Sequence, residues 1–150
     1  MKNQTGFSLI ELMVALAIVG ILFATAMPFY NKMRQRAIGT EVKITAQNIM
    51  DAQIAYFMEN NKYYHPNNTP IDIFHDTPPD NDDLKDIAEK LHINIPVGHR
   101  LNYSFRATNV SKNESFTLII SSNGGFEFFE GVTSIVYEIN KDGVITTLTM

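Results

Sequence analysis

An apolar segment without a formal charge runs from Leu12 to Tyr30, over nineteen residues near the start of the chain. As a helix it would be about 28 Å long, close to the hydrocarbon thickness of a bilayer. The segment is apolar on every side, whereas a helix at the surface of a soluble core has one apolar stripe. The rest of the chain is too small to surround such a helix. The pattern therefore predicts either a lasting membrane anchor or a secretory signal sequence.

The signal-sequence interpretation has its own support in the sequence. Lys2 provides a basic start, and Ala24-Thr25-Ala26 fits the small-x-small pattern of a signal cleavage site. On this interpretation a soluble binding domain is released after Ala26. Two features favour an anchor instead, because Glu11 is acidic at the front of the apolar run and the helical pattern continues beyond Ala26.

The helical pattern becomes amphipathic after Pro28. Apolar positions recur at helical spacing at Ile38, Val42, Thr45/Ala46, Ile49, Ala52/Gln53 and Tyr56. The helix is predicted to continue to about Asn60, where Asn60-Asn61 ends it. Gly39 is an unfavourable residue inside a helix, and it marks either a bend or a close contact.

Residues 61–80 are rich in Asn, Asp and Pro, and they predict a long connecting loop. A short helix is predicted over Leu84–Leu91. The acidic residues of segment 78–83 precede it, where they can cap the helix and meet its N-terminal dipole. A calcium site in the same segment is the alternative, although the spacing of an EF-hand is absent.

From Leu101 onward the pattern is that of strands. Strands are predicted over 101–107, 116–120, 133–139 and 144–149, with Asn123-Gly124-Gly125 as a hairpin signal leading into a strand at Phe126–Phe128. Asp142-Gly143 is a second hairpin signal. The prediction is an α+β fold in which the long helix packs its amphipathic half on an antiparallel sheet of four to five strands.

Composition narrows the function further. The 150 residues fit one domain with an appendage, and a net charge of −4 argues against sequence-specific nucleic acid binding. There is no cysteine, so neither a disulfide nor a thiolate metal site can form. The four histidines match no metal motif, and there is no nucleophile elbow and no phosphate-binding Gly-rich loop. We therefore expect a protein that is not an enzyme and holds no cofactor or metal.

The N-terminal residues resemble a known family. Gly6-Phe7-Ser8-Leu9-Ile10-Glu11 is similar to the cleavage and assembly signature of type IV prepilins and pseudopilins, with Lys2 in a short leader. The resemblance implies cleavage between Gly6 and Phe7 by a prepilin peptidase, which also methylates the new amine of Phe7. It implies a leader at 1–6, a transmembrane and assembly helix at 7–30, an amphipathic continuation at 31–60 and a globular head at 61–150.

The resemblance also assigns a role to Glu11. A carboxylate in the middle of a bilayer costs about 2.5–3.5 kcal/mol, and a residue of this kind normally has a specific partner or snorkels to water. In the family, the cationic amine of Phe7 in one subunit would neutralise Glu11 of its neighbour and set the register of filament assembly. Gly20 and Pro28 also stand at family positions, and a kink or local loss of helix is expected between them.

The function implied is a structural subunit of a type IV pilus filament, serving adhesion, twitching motility or DNA uptake. A pseudopilin of a type II secretion system shares every motif and is the alternative. Pseudopilins often bind calcium in a loop. The implied partners are other pilin subunits, the prepilin peptidase, an inner-membrane assembly platform and membrane lipid before assembly.

The implied location is a single-pass inner-membrane protein with its head outside the cytoplasm, which becomes an extracellular or periplasmic filament. Lys32, Arg34 and Arg36 follow the apolar run, and the positive-inside rule would place the head in the cytoplasm. The family resemblance implies the opposite orientation, and we expect the dedicated leader to override the charge bias.

Overall fold

The computed structural model describes residues 7–65, 69–98, 100–110 and 113–149. One long helix, α1 (Leu9–Asn60, 52 residues), precedes everything else. The elements that follow are β1 (Ile71–Ile73), α2 (Asp82–Leu91), β2 (Leu101–Val110), β3 (Asn113–Ser122), β4 (Ser134–Asn140) and β5 (Ile145–Thr149). The α+β class and the long N-terminal helix are confirmed.

The five strands form one antiparallel sheet in the order β1-β2-β3-β4-β5, so that each strand pairs with its neighbour in the chain. The longest ladder joins β2 to β3, with Tyr103 opposite Ile120 and Phe105 opposite Leu118. The upper end of the predicted strand number is confirmed, although β1 lies inside the segment predicted to be a loop. Its three residues are too few for strand periodicity to be recognised among Asn and Pro residues.

The prediction of a hairpin strand at Phe126–Phe128 is wrong. Gly124 and Gly125 adopt positive φ values of 75° and 71°, and they belong to a short turn. The backbone N–H of Phe128 then donates to the carbonyl of Val132 at 2.8 Å, so this segment pairs with itself. The strand that pairs with β3 on the side away from β2 is β4, which begins only at Ser134. The turn at Asp142-Gly143 does connect β4 and β5, as predicted.

The core lies between the second half of α1 and one face of the sheet. The predicted helical stripe is confirmed, since Val42, Ala46 and Ile49 are buried. The sheet contributes buried side chains from β1 to β4, namely Ile71, Ile73, Leu101, Tyr103, Phe105, Phe116, Leu118, Ile120, Ile135 and Ile139. The short helix α2 contributes Leu84, Ile87 and Leu91.

Capping by Asn81 organises the start of α2. Its side-chain oxygen accepts hydrogen bonds from the backbone N–H groups of Asp83 at 2.9 Å and Leu84 at 3.3 Å. Asp82 and Asp83 occupy the first turn, where carboxylates interact favourably with the helix dipole. The predicted placement of carboxylates at the helix dipole is therefore confirmed, whereas the cap itself is the amide of Asn81 and the helix begins two residues earlier than predicted. Among the described residues, no group of three His, Asp or Glu residues could hold a metal ion.

Gly39 is a point of close contact between α1 and the segment that links β3 to β4. A Cβ atom placed on Gly39 would lie 2.6 Å from Cε1 of Phe129 and 2.8 Å from the carbonyl oxygen of Phe128. Nearby, the Nζ atom of Lys43 lies 4.9 Å from the centre of the Phe129 ring. The choice between a bend and a close contact at Gly39 is thus decided in favour of contact.

Two hydrogen bonds connect α1, near its C-terminal end, to the segment that follows the helix. Gln53 is fully buried, and its side-chain oxygen accepts from the Tyr64 N–H at 2.9 Å. Its Nε2 donates to the Tyr64 carbonyl at 3.3 Å. One amide side chain therefore satisfies both backbone groups of a buried residue, as a neighbouring strand would do.

We expect Gly39→Ala to destabilise the globular region. The added methyl group meets backbone as well as a ring, and overpacking of this kind costs about 1–3 kcal/mol. This exceeds the gain of up to about 1 kcal/mol in helix propensity. Urea unfolding of the full chain in detergent, followed by tyrosine fluorescence, measures the change. Gly20→Ala is the matched control, because nothing lies within 4 Å of the added methyl group. Equal midpoints for both variants would contradict the contact argument.

We expect Gln53→Ala to lower the free energy of unfolding by roughly 2–4 kcal/mol, because two buried backbone groups lose their partners and a cavity opens. Gln47→Ala is the control on the same helix. The Gln47 side chain is exposed, and within the described residues its one hydrogen bond is to Asp51, at 3.0 Å, so its loss should cost no more than about 0.5 kcal/mol. The same denaturation measurement compares the two, and similar costs would exclude a special role for Gln53.

Candidate functional site

The first half of α1 extends away from the globular region, and no other part of the described chain packs against it. Every side chain from Phe7 to residue 34 is exposed, although most of them are apolar. Among the described residues, α1 is the one helix long and apolar enough to cross a membrane, and no residue of its most apolar stretch is buried. An exposed apolar surface of this size marks an interaction with lipid or protein.

Glu11 has a hydrogen-bond partner within its own chain. Ser8 stands just before the helix with extended backbone angles, and its N–H donates to Oε2 of Glu11 at 3.0 Å. The side chain thus satisfies one of the free N–H groups at the helix start, as the acidic residue of a capping box does. Ser8 was not among the partners predicted for Glu11. The signal was present in Ser8-Leu9-Ile10-Glu11, which has the Ser-x-x-Glu spacing of that motif.

The remaining predicted site residues are placed as follows. Phe7 is 90% exposed beside Ser8, whereas Gly6 lies outside the described residues. Gly20 and Pro28 both lie within α1, which continues as an α-helix through them to Asn60. The loss of helix between them, expected in an assembled filament, stays a prediction.

The end of the apolar stretch is marked by three cations. Lys32, Arg34 and Arg36 have exposed side chains. Within the described parts of the chain, none of the three forms an ion pair. No acidic residue occurs between Glu11 and Glu41 in the sequence, so this part of α1 carries only positive charge.

The surface grooves of the globular region contain no evident catalytic arrangement among the described residues. One groove between α1 and the segment after α2 is lined by Thr45, Asp51 and Asn94 among others. His75 lies 3.9 Å from Asp76, and His92 ends α2 in a left-handed conformation. His99 lies outside the described residues.

Burial perturbs several titratable groups of the core. Burial, followed by the charge of Asp86, raises the pKa of Tyr64 to about 12. Burial likewise raises the pKa of Tyr103, with the charge of Glu41 adding to the effect. Burial lowers the pKa of His65. In each case the folded state favours the uncharged form of the side chain.

Comparison with known proteins matches one family model and several pilins. The prokaryotic N-terminal methylation motif is matched over residues 1–27. The chain is 41% identical over 61 residues to the type IV major pilin protein PilA of Myxococcus xanthus. This match covers 41% of this chain and 28% of that pilin. It is 42% identical over 60 residues to the type IV major pilin protein PilE1 of Neisseria gonorrhoeae, covering 40% of this chain and 36% of that pilin.

A third relative is the type IV wide pilus major component PilA4 of Thermus thermophilus, 38% identical over 63 residues. That match covers 42% of this chain and 48% of the relative, so the matched stretch spans less than half of each of these pilins. No solved structure matches the chain.

The fold defines a class of protein, an α+β chain whose N-terminal helix projects an uncovered apolar half. The methylation motif and the similarity to major pilins support, within this class, a type IV pilin family.

We expect the globular region to lose stability at both ends of the pH range. The unfolded chain gives up the Tyr64 proton near pH 10, whereas the folded chain holds it to about pH 12. Stability should therefore be retained below pH 10 and fall as the pH rises towards 12. The lowered pKa of His65 acts in the opposite sense, so its contribution is present above about pH 6.5 and is lost as the pH falls. Unfolding midpoints across this range test both limbs, and Tyr64→Phe should make the alkaline one less steep, while the raised pKa of Tyr103 keeps part of it. An unchanged alkaline limb in that variant would exclude Tyr64 as a cause.

Proposed function

We propose that this chain is a structural subunit of a type IV pilus filament, assembled through the first half of α1. The observation that carries the proposal is the exposed apolar surface between Phe7 and Tyr30, with one carboxylate at its beginning. Water cannot cover this surface without a large free-energy cost. Lipid covers it before assembly, and the same helices of neighbouring subunits cover it in the filament.

Processing fits the same segment. We propose that residues 1–6 are a leader removed by a prepilin peptidase between Gly6 and Phe7, and that the new amine is methylated. The methylation motif and the exposed position of Phe7 support this. Residues 7–30 then form the transmembrane and assembly helix, 31–60 its amphipathic continuation, and 61–150 the globular head.

Glu11 determines how subunits meet. Its hydrogen bond to the Ser8 N–H uses only part of its capacity, since a carboxylate has about four acceptor sites. We propose that the methylated amine of Phe7 from a neighbouring subunit supplies the opposite charge. In apolar surroundings this pairing is far stronger than in water, so a subunit shifted along the filament axis would leave two unpaired charges.

Partners and location follow from this role. Before assembly the subunit is a single-pass inner-membrane protein with its head outside the cytoplasm, in contact with an assembly platform. Afterwards it is part of an extracellular filament. We assign it a structural role and no enzymatic one, which is supported by relatives named as major pilins.

The alternatives receive less support. A signal sequence cleaved after Ala26 would cut through the middle of α1, which is one helix from Leu9 to Asn60. A pseudopilin of a type II secretion system would use the same N-terminal motif, but the relatives reported above are named as pilus components.

We expect Glu11→Ala to be processed normally yet to reduce the yield of sheared fibres by at least about tenfold, since an amine buried without its partner costs about 3–5 kcal/mol. Glu59→Ala is the matched control, because it removes an exposed carboxylate at the far end of the same helix. Mass spectrometry of the mature N-terminus checks processing, and fibre yield checks assembly.

Three outcomes would count against the proposal. Wild-type fibre yield from Glu11→Ala would remove the role of the carboxylate. A mature chain beginning at Met27 would support the soluble domain, and fibres whose subunits retain residues 1–6 would contradict the processing step.

A further inference from the structure

We propose that Lys32, Arg34 and Arg36, here called the basic collar, bind the phosphate groups of anionic phospholipids while the subunit is in the membrane, before it is assembled. The inference rests on the membrane-anchor part of the proposed function and goes beyond it. It names a lipid-binding site, its residues and the chemical class of the ligand. It holds for either orientation of the helix, because both faces of a bilayer present phosphate groups.

The spacing of charges along α1 is the first argument. Glu11 and Lys32 are twenty-one positions apart, which is about 32 Å along a helix. No charged residue lies between them. The hydrocarbon core of a bilayer is about 30 Å thick. When Glu11 lies at one boundary of the hydrocarbon, Lys32 must therefore lie at the other.

The depth of the collar is the second argument. Arg36 lies about 6 Å beyond Lys32 along the helix axis. The headgroup layer on each side of a bilayer is about 5–8 Å thick. All three side chains thus reach the level of the lipid phosphates, and long basic side chains can bend towards that level from either direction.

The availability of the three cations is the third observation. Their side chains are exposed, and in the part of the chain that the structure describes they form no ion pair and donate no side-chain hydrogen bond. Two acids of the head, Glu127 and Glu130, border the same groove as Lys32 and Arg36 but do not pair with them. The three side chains are therefore available to an external ligand.

The arrangement around the helix indicates what that ligand is. At about 100° per residue, Lys32 and Arg36 share one side of α1, and Arg34 points to roughly the opposite side. The structure agrees, because Arg34 borders a different groove, together with Glu41, His75 and Arg100. A single protein molecule bound to the isolated subunit would contact mainly one side of the helix. Positive charge on both sides suits a layer of anions that surrounds it, as lipid headgroups do.

The test uses the full chain reconstituted into phosphatidylcholine vesicles that contain phosphatidylglycerol. Spin-labelled forms of the two lipids report which one is enriched in the lipid shell next to the protein. We expect the wild-type chain to prefer phosphatidylglycerol by at least about threefold, because each cation near the surface attracts anionic lipid. High salt should reduce the preference by screening.

Three variants make the test specific. Lys32→Gln/Arg34→Gln/Arg36→Gln should lose the preference, whereas Arg34→Lys/Arg36→Lys keeps the charges and should retain it. Lys62→Gln/Lys85→Gln/Lys90→Gln removes the same charge from exposed lysines of the head and should behave as wild type. Lys2 is common to all of them. Circular dichroism verifies that each variant is folded.

The outcomes separate this inference from the proposed function. Resistance to extraction by alkaline carbonate reports the anchor itself, and its loss in the wild-type chain would overturn both. An anchored wild-type chain without lipid preference, or equal preference in the collar variant, would overturn this inference alone. A collar variant with normal lipid preference that no longer enters fibres would assign the collar to an acidic surface of a neighbouring subunit.

Discussion

The apolar surface of α1 is the constraint on which the rest of this molecule depends. The apolar positions of this one continuous helix are covered in its second half and uncovered in its first half. From about Ile38 onward its apolar positions are covered by the sheet and by α2 of the same chain. Between Phe7 and residue 34 nothing in the described chain covers them. Because exposed apolar area on this scale is unfavourable in water, this half of the helix is expected to be covered by lipid or by protein.

The globular region must hold its end of the helix without a covalent link, since the chain has no cysteine. Two close contacts with α1, at Gly39 and at Gln53, hold the globular region on the helix. The absence of a side chain at Gly39 lets Phe128 and Phe129 approach the helix backbone. The buried amide of Gln53 holds the returning chain at Tyr64. Both contacts are specific in shape or in hydrogen bonding, whereas the surrounding core is held by general apolar burial.

Charge on the projecting half of α1 is confined to its two ends, and it is negative at the first end and positive at the second. Glu11 satisfies part of its own helix start through Ser8 and keeps acceptor capacity for a partner. The Glu11 carboxylate therefore has one hydrogen-bond partner within its own chain. The opposite end carries only cations, at the distance that a bilayer requires.

The sequence alone determined what depends on local order: the length of the apolar segment, the amphipathic stripe ending near Asn60, four strands of the sheet and the motif around Phe7 and Glu11. These follow from periodicity and spacing, which are properties of neighbouring residues. Tertiary structure decided what depends on distant segments meeting. The contact at Gly39, the partner of Gln53, the short strand β1 and the failure of Phe126–Phe128 to join the sheet all arise this way. No local pattern encodes which segment will lie against a given helix face, because the packing of the whole core selects it.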